Sequence, residues 1–177
     1  PGILAMVYTG RATDLQAYLR KLERFGIKLG LDPMRALCAA LGHPEREFRS
    51  VVIAGTNGKG SVAAMTEAAL RAAGHRTGRY TSPHLVRLEE RTAIAGEPVA
   101  SDELYSAIQT VRTVVDQLCR ERRLETSPTF FEVTTAAAFV AFSRARVDVA
   151  VLEVGLGGRF DATNVTTPLG VAITSID

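Results

Sequence analysis

Residues 54–61 read Ala-Gly-Thr-Asn-Gly-Lys-Gly-Ser and lie between an apolar run, Ser50–Ile53, and an alanine-rich helical stretch. Strand, glycine-rich turn, lysine and helix start, in that order, make a phosphate cradle. Glycines let backbone N–H groups converge on phosphate oxygens, and the helix N-terminus adds partial positive charge. Gly55, Thr56, Asn57, Gly58, Lys59, Gly60 and Ser61 are the candidate nucleotide loop, with Lys59 as a point charge for the β- and γ-phosphates. The run departs twice from the general G-x-x-x-x-G-K-[ST] spacing. Ile53 stands where glycine is usual, and Gly60 follows the lysine where a hydroxyl is usual, so Ser61 comes one residue late.

Glu153 is a carboxylate inside the apolar run Val149–Val154, followed by Gly155, Gly157 and Gly158. Burying a bare carboxylate is expensive unless a cation compensates it. Magnesium held against ATP phosphates is one such partner; a salt bridge to Arg159 or another arginine is the other. Ser82, at the tip of a neighbouring strand, offers magnesium a hard oxygen. Alone it would read as a turn serine. Asn57 fits either a phosphate contact or an ordinary turn, and Phe130-Phe131 either core or a stacking surface. His84 carries no assigned chemistry.

The elements around these residues alternate. Helical spacing predicts helices over about 15–25 (closed by Gly26), from the Asp32-Pro33 cap to Leu41, over 61–73, from Ser101 onward, and over about 131–144. Apolar runs predict strands at 51–54, 76–81, 148–154 and 171–176, while 85–100 reads as irregular with a turn at Gly96-Glu97-Pro98. The helix over 61–73 is apolar nearly all round and is expected to be sandwiched between a sheet and another layer. Continuous apolar strands between helices mean α/β: a mostly parallel sheet with helices on both faces, and ligands beyond the strands' carboxyl ends.

Length and charge set the outer limits. The chain has 177 residues, 46% of them hydrophobic, and a net charge of +2, which argues for neither nucleic acid nor membrane binding. Arg120, Arg122 and Arg123 read as a solvated helix end. Cys38 and Cys119 follow no CxxC pattern, so a reduced cytoplasmic setting fits, with both as small core residues. The first residues, Pro1–Tyr8, lack a basic n-region and a proper h-region, so no signal peptide is expected, and no apolar run is long enough to predict a transmembrane span. Residues 170–177 are a strand pattern, expected to lie in the core, that stops without a following element; the chain reads as cut rather than finished.

Gly55-Thr-Asn-Gly-Lys-Gly-Ser61, Tyr80-Thr-Ser-Pro-His-Leu85 and Leu152-Glu-Val-Gly-Leu-Gly-Gly-Arg-Phe-Asp-Ala-Thr-Asn164 together resemble the folylpolyglutamate synthase and dihydrofolate synthase family, the folate branch of the Mur ligase superfamily. The resemblance runs from about Asp14 to Asp177, and it accounts for Gly60, where cell-wall ligases put threonine. It implies a P-loop-containing, Mur-ligase-like central domain at 49–177, incomplete at its C-terminal end, preceded by a helical segment at 1–48. A C-terminal glutamate-binding domain would be absent. It implies an ATP-dependent ligase that activates a dihydropteroate or folate carboxylate as an acyl phosphate and joins it to L-glutamate. Lys59 and Glu153 would be the catalytic residues, with Ser82 and Glu153 holding Mg2+. Ile27, Lys28, Leu29, Thr129, Phe160, Asp161 and Ala162 match substrate contacts. A cytoplasmic monomer is expected, and the 177 residues alone should keep some nucleotide affinity with little turnover. The competing readings are a cell-wall ligase acting on a UDP-linked precursor and a non-catalytic nucleotide-binding module.

Overall fold

The computed structural model describes residues 14–23, 30–124 and 126–176. Gly26 and the expected contacts Ile27, Lys28 and Leu29 lie outside them. Helix α1 spans 14–23 and α2 spans Asp32–Ala40, followed by strand β1 (Arg49–Ala54), α3 (Lys59–Ala72) and β2 (Thr77–Tyr80). A 3-10 turn at Leu88–Arg91 leads into β3 (Thr92–Ile94) and β4 (Glu97–Pro98). Then come α4 (Ser101–Arg120), α5 (Phe130–Arg144), β5 (Val149–Glu153), a 3-10 turn at Ala162–Val165 and β6 (Gly170–Ile173).

The sheet order is β4-β3-β2-β5-β1-β6. β2, β5, β1 and β6 run parallel, and β3 and β4 add an antiparallel edge. Period-2 alternation sorts the central strands onto two faces. Val52, Ala150 and Leu152 join the larger core with α1, α2, α4 and α5, whereas Ile53 and Val151 pack with Ala63 of α3. β5 is buried at every position. α5 is buried from Glu132 to Phe142, and its approach to the sheet is close enough that a Cβ on Gly78 would lie 2.9 Å from the Phe142 ring.

Five expectations need correction. α3 is not sandwiched: only Ala63 and Glu67 are buried and Met65 is 63% exposed, so its small residues fit one sheet face and leave the rest in solvent. Residues 85–100 are not irregular but hold the hairpin β3–β4. Its turn is Ala95-Gly96, both at positive φ as a tight hairpin requires, and Glu97-Pro98 is strand. Asp32 is the first helical residue rather than the cap of α2, a place Leu31 takes without a side-chain bond. β6 is an exposed edge strand, not core. Cys38 is buried as expected, but Cys119 is exposed because it falls on the outer face of α4. Among the described residues no helix is long and apolar enough to cross a membrane.

Candidate functional site

The carboxyl ends of β1, β2 and β5 converge on one edge of the sheet, and the three sequence motifs leave from there. β1 ends at Ala54 and the chain turns at once. Gly55 has a φ of +129°, and a Cβ there would lie 2.0 Å from Thr174 Oγ1 and 3.0 Å from Thr174 N. The Thr56 N–H donates to Ser175 O at 2.7 Å, and Asn57 bridges to Ser175. The loop is thereby laid against the segment after β6.

Gly58, at a φ of +82°, precedes α3 with no side-chain cap. The first bond of the helix runs from Val62 N–H to Gly58 O, so the amides of Lys59, Gly60 and Ser61 have no acceptor inside it. α2, α4 and α5 each carry an acid in the first turn; α3 carries none. That N-terminus suits an external anion. The Lys59 Nζ donates to Gly55 O at 2.9 Å and Thr56 O at 3.0 Å, which fixes the ammonium over the loop with a third proton to give.

Glu153 is 5% exposed and comes to the same place from β5. Its Oε2 accepts the Ser82 backbone N–H at 3.0 Å, and its two oxygens lie 3.7 and 3.9 Å from where a Cβ of Gly60 would be. A side chain much larger than a methyl at residue 60 would enter the space before the carboxylate. Burial pushes the Glu153 carboxyl above the usual range, against the pull of the Ser82 N–H, Lys59 and Arg91. No salt bridge reaches it among the described residues. The Arg159 guanidinium, the alternative partner named from the sequence along with any other arginine, lies 5.7 Å over the Phe160 ring instead.

The donor set fits one hard cation. Among the described residues no group of three or more acids, histidines or cysteines could hold a metal by itself. Magnesium does not need such a cage, because it takes one or two carboxylates and completes its shell with phosphate oxygens and water. A carboxylate such as Glu153 and a hydroxyl such as that of Ser82 are oxygen donors of the kind it takes.

A cavity of about 470 Å³ opens beside Ser82, lined by Leu22, Arg91, Thr129, Phe130, Phe131, Leu156, Phe160, Asp161 and Ala162 among others. Thr129 and Glu132 form a capping box at the start of α5, with the Thr129 N–H donating to Glu132 Oε2 at 2.7 Å and Glu132 N–H donating back at 3.2 Å. Asp161 accepts from the amides of Gly155, Leu156 and Thr163 at 2.8, 2.9 and 3.0 Å, and from Thr163 Oγ1 at 2.6 Å. Both side chains hold the wall in shape. Phe160 is half exposed at the rim. Sequence reasoning missed Arg91, which sits in the stretch read as irregular and belongs to no motif. Its only signal was a cation flanked by the acids Glu89 and Glu90.

No family model matches the chain. Individual relatives do. The dihydrofolate synthase/folylpolyglutamate synthase of Bacillus subtilis is 40% identical over 164 residues, 92% of this chain and 38% of that protein. The Mycobacterium tuberculosis enzyme of the same name is 46% identical over 151 residues. The chain is homologous to folylpolyglutamate synthases and dihydrofolate synthases over nearly its whole length. Solved structures agree: the M. tuberculosis folylpolyglutamate synthase with ADP superposes with a TM-score of 0.88 at 40% identity, covering 96% of this chain and 37% of that one. Escherichia coli FolC in complex with DHPP and ADP gives 0.83 at 36% identity, covering 94% and 38%. The chain thus spans between about a third and two fifths of the length of these folylpolyglutamate and dihydrofolate synthases.

Proposed function

We propose that these residues form the nucleotide- and metal-holding part of an ATP-dependent ligase. It joins the carboxylate of a pteroate or folate to the amine of L-glutamate. The observation that carries this reading is the placement of Glu153 Oε2 at the Ser82 amide, facing Gly60 of the phosphate loop. Relatives supply the ligand classes: FolC with DHPP and ADP, and a bifunctional family member with Mn, AMPPNP and L-glutamate.

In this reading Gly55–Ser61 bind the triphosphate and Lys59 neutralises charge on the transferred phosphoryl group. A carboxylate oxygen of the acid attacks the γ-phosphorus, the bond to the β-phosphate oxygen breaks, and ADP leaves. The glutamate amine then attacks the acyl carbon and inorganic phosphate departs. Mg2+, held by Glu153 and Ser82, would neutralise phosphate charge in the first step. Little covalent work falls to the protein; it positions two anions and lowers their repulsion. Phe160, Ala162 and the wall held by Thr129 and Asp161 seat the planar acid, together with Ile27, Lys28 and Leu29. The assignment of residues 1–48 as a helical arm of this domain, a monomeric state and a cytoplasmic location belong to the same proposal.

The test is phosphate release by the complete enzyme with ATP, Mg2+ and either dihydropteroate or a reduced folate. Release that requires both the acid and L-glutamate is expected. Release indifferent to either refutes the assignment.

A further inference from the structure

Arg91 ends the turn at Leu88–Arg91 and is 8% exposed. Its hydrogen-bond and ring partners (His84, Tyr80 and Phe130) carry no negative charge, and its positive charge reaches the Glu153 carboxylate only through space. The Nε–H donates to His84 Nδ1 at 2.8 Å, and the guanidinium lies 5.1 Å over the Phe130 ring. The two acids beside it in the sequence are committed elsewhere. Glu89 accepts from Ser101 Oγ at 2.5 Å and Arg87 Nη2 at 3.4 Å. Glu90 accepts from the backbone N–H groups of Leu85, Val86 and Arg87. No salt bridge reaches Arg91 among the described residues.

A guanidinium cannot shed its proton, so one buried with no carboxylate in direct contact, and only Glu153 acting on it from a distance, gains from an anion that joins it. Arg91 lines the cavity with Ser82, Phe130 and Phe160, so that anion has a place to enter. The phosphates already have Lys59 and the α3 N-terminus. The aromatic walls suit a flat apolar body, and a planar fork on the metal side suits the carboxylate at its end. Resting on the ligase reading above, we propose that Arg91 binds the carboxylate of the acid substrate and presents it to the γ-phosphate. A second cation between two anions also lowers their repulsion as they meet.

Two measurements on the complete enzyme test this. The first compares KM for the acid and for ATP in wild type, Arg91→Gln and Arg91→Lys. The second compares binding of the acid with that of its carboxamide analogue. Losing one charged hydrogen-bond partner predicts a rise in KM for the acid on the order of 10- to 100-fold in Arg91→Gln. KM for ATP should stay within about twofold, since the loop residues are untouched. Wild type should prefer acid to amide by a comparable factor, and Arg91→Gln should bind both alike. The proposal is overturned if Arg91→Gln keeps the acid preference, or if both KM values rise together. Should Arg91→Gln fold poorly, Arg91→Lys and the wild-type acid-to-amide ratio decide, and a wild type without acid preference overturns it. A wild type that binds acid over amide but never ligates sinks the ligase reading and leaves the Arg91 assignment standing.

Discussion

Gly55→Ala tests how tightly the phosphate loop is pinned. At a φ of +129° the new side chain sits in backbone that L-residues rarely adopt, which costs on the order of 1–3 kcal/mol. Its Cβ would also stand 2.0 Å from Thr174 Oγ1, 3.0 Å from Thr174 N and 3.1 Å from Ser175 O. A rotation of Thr174 could relieve the first contact. The other two are backbone atoms held by Thr174 N–H to Ala54 O at 2.9 Å and Thr56 N–H to Ser175 O at 2.7 Å. Overpacking of that kind adds roughly 1–3 kcal/mol, for a total near 4. At about 2–4 °C per kcal/mol for a chain of this size, the midpoint of thermal unfolding should fall by about 8–16 °C. Gly58→Ala is the control: its φ is +82° but no atom lies within 4 Å, so only about 1–2 kcal/mol is expected. Adding Thr174→Ala to Gly55→Ala should restore part of the loss, since only the side-chain contact is removed. Unfolding followed by circular dichroism, with ATP affinity measured in parallel, reads all three variants. Equal midpoints for Gly55→Ala and Gly58→Ala would refute the pinning.

Glu153→Gln removes a carboxyl whose folded pKa is raised. The folded state therefore binds this proton more tightly than the unfolded chain, and stability is lost as pH rises through the raised value. Without metal, the variant should be at least as stable as wild type at pH 7, with wild type gaining on it as pH falls toward 4; Mg2+-dependent ATP binding should drop. Asp161→Asn leaves one acceptor oxygen for four donors and should destabilise by about 2–4 kcal/mol in denaturant titration. Gly78→Ala would press on the Phe142 ring and should lose about 1–3 kcal/mol, partly restored by Phe142→Leu in a double-mutant cycle. Lys59→Met should weaken ATP binding with little change in unfolding midpoint, measured by titration calorimetry.

The parallel core was legible because β1 and β5 are long apolar runs with punctuation at both ends, and the loop because glycine and lysine spacing has few other uses. Glu153 stood out as an acid in such a run, and the structure carries it to Gly60. The hairpin was not legible: β3 and β4 are only three and two residues long, too short for a period, and Pro98 masked an edge strand. The misreading of α3 has a different cause. Alanine supports a helix anywhere, so Ala63, Ala64, Ala68 and Ala69 carry no information about how many sides are covered. Arg91 was invisible because its meaning lies in what its neighbours do: Glu89 and Glu90 look like partners on paper and turn away in space.

α5 and α3 flank the same sheet under opposite conditions, one enclosed from Glu132 to Phe142, the other wet along most of its surface. Their amides should therefore exchange with deuterium by different routes. Those of α5 wait for global unfolding, while α3 can open alone at a fraction of that free energy. Nucleotide bound at the start of α3 would then slow exchange along that helix and leave α5 unchanged, so the two report separately on ligand and on fold.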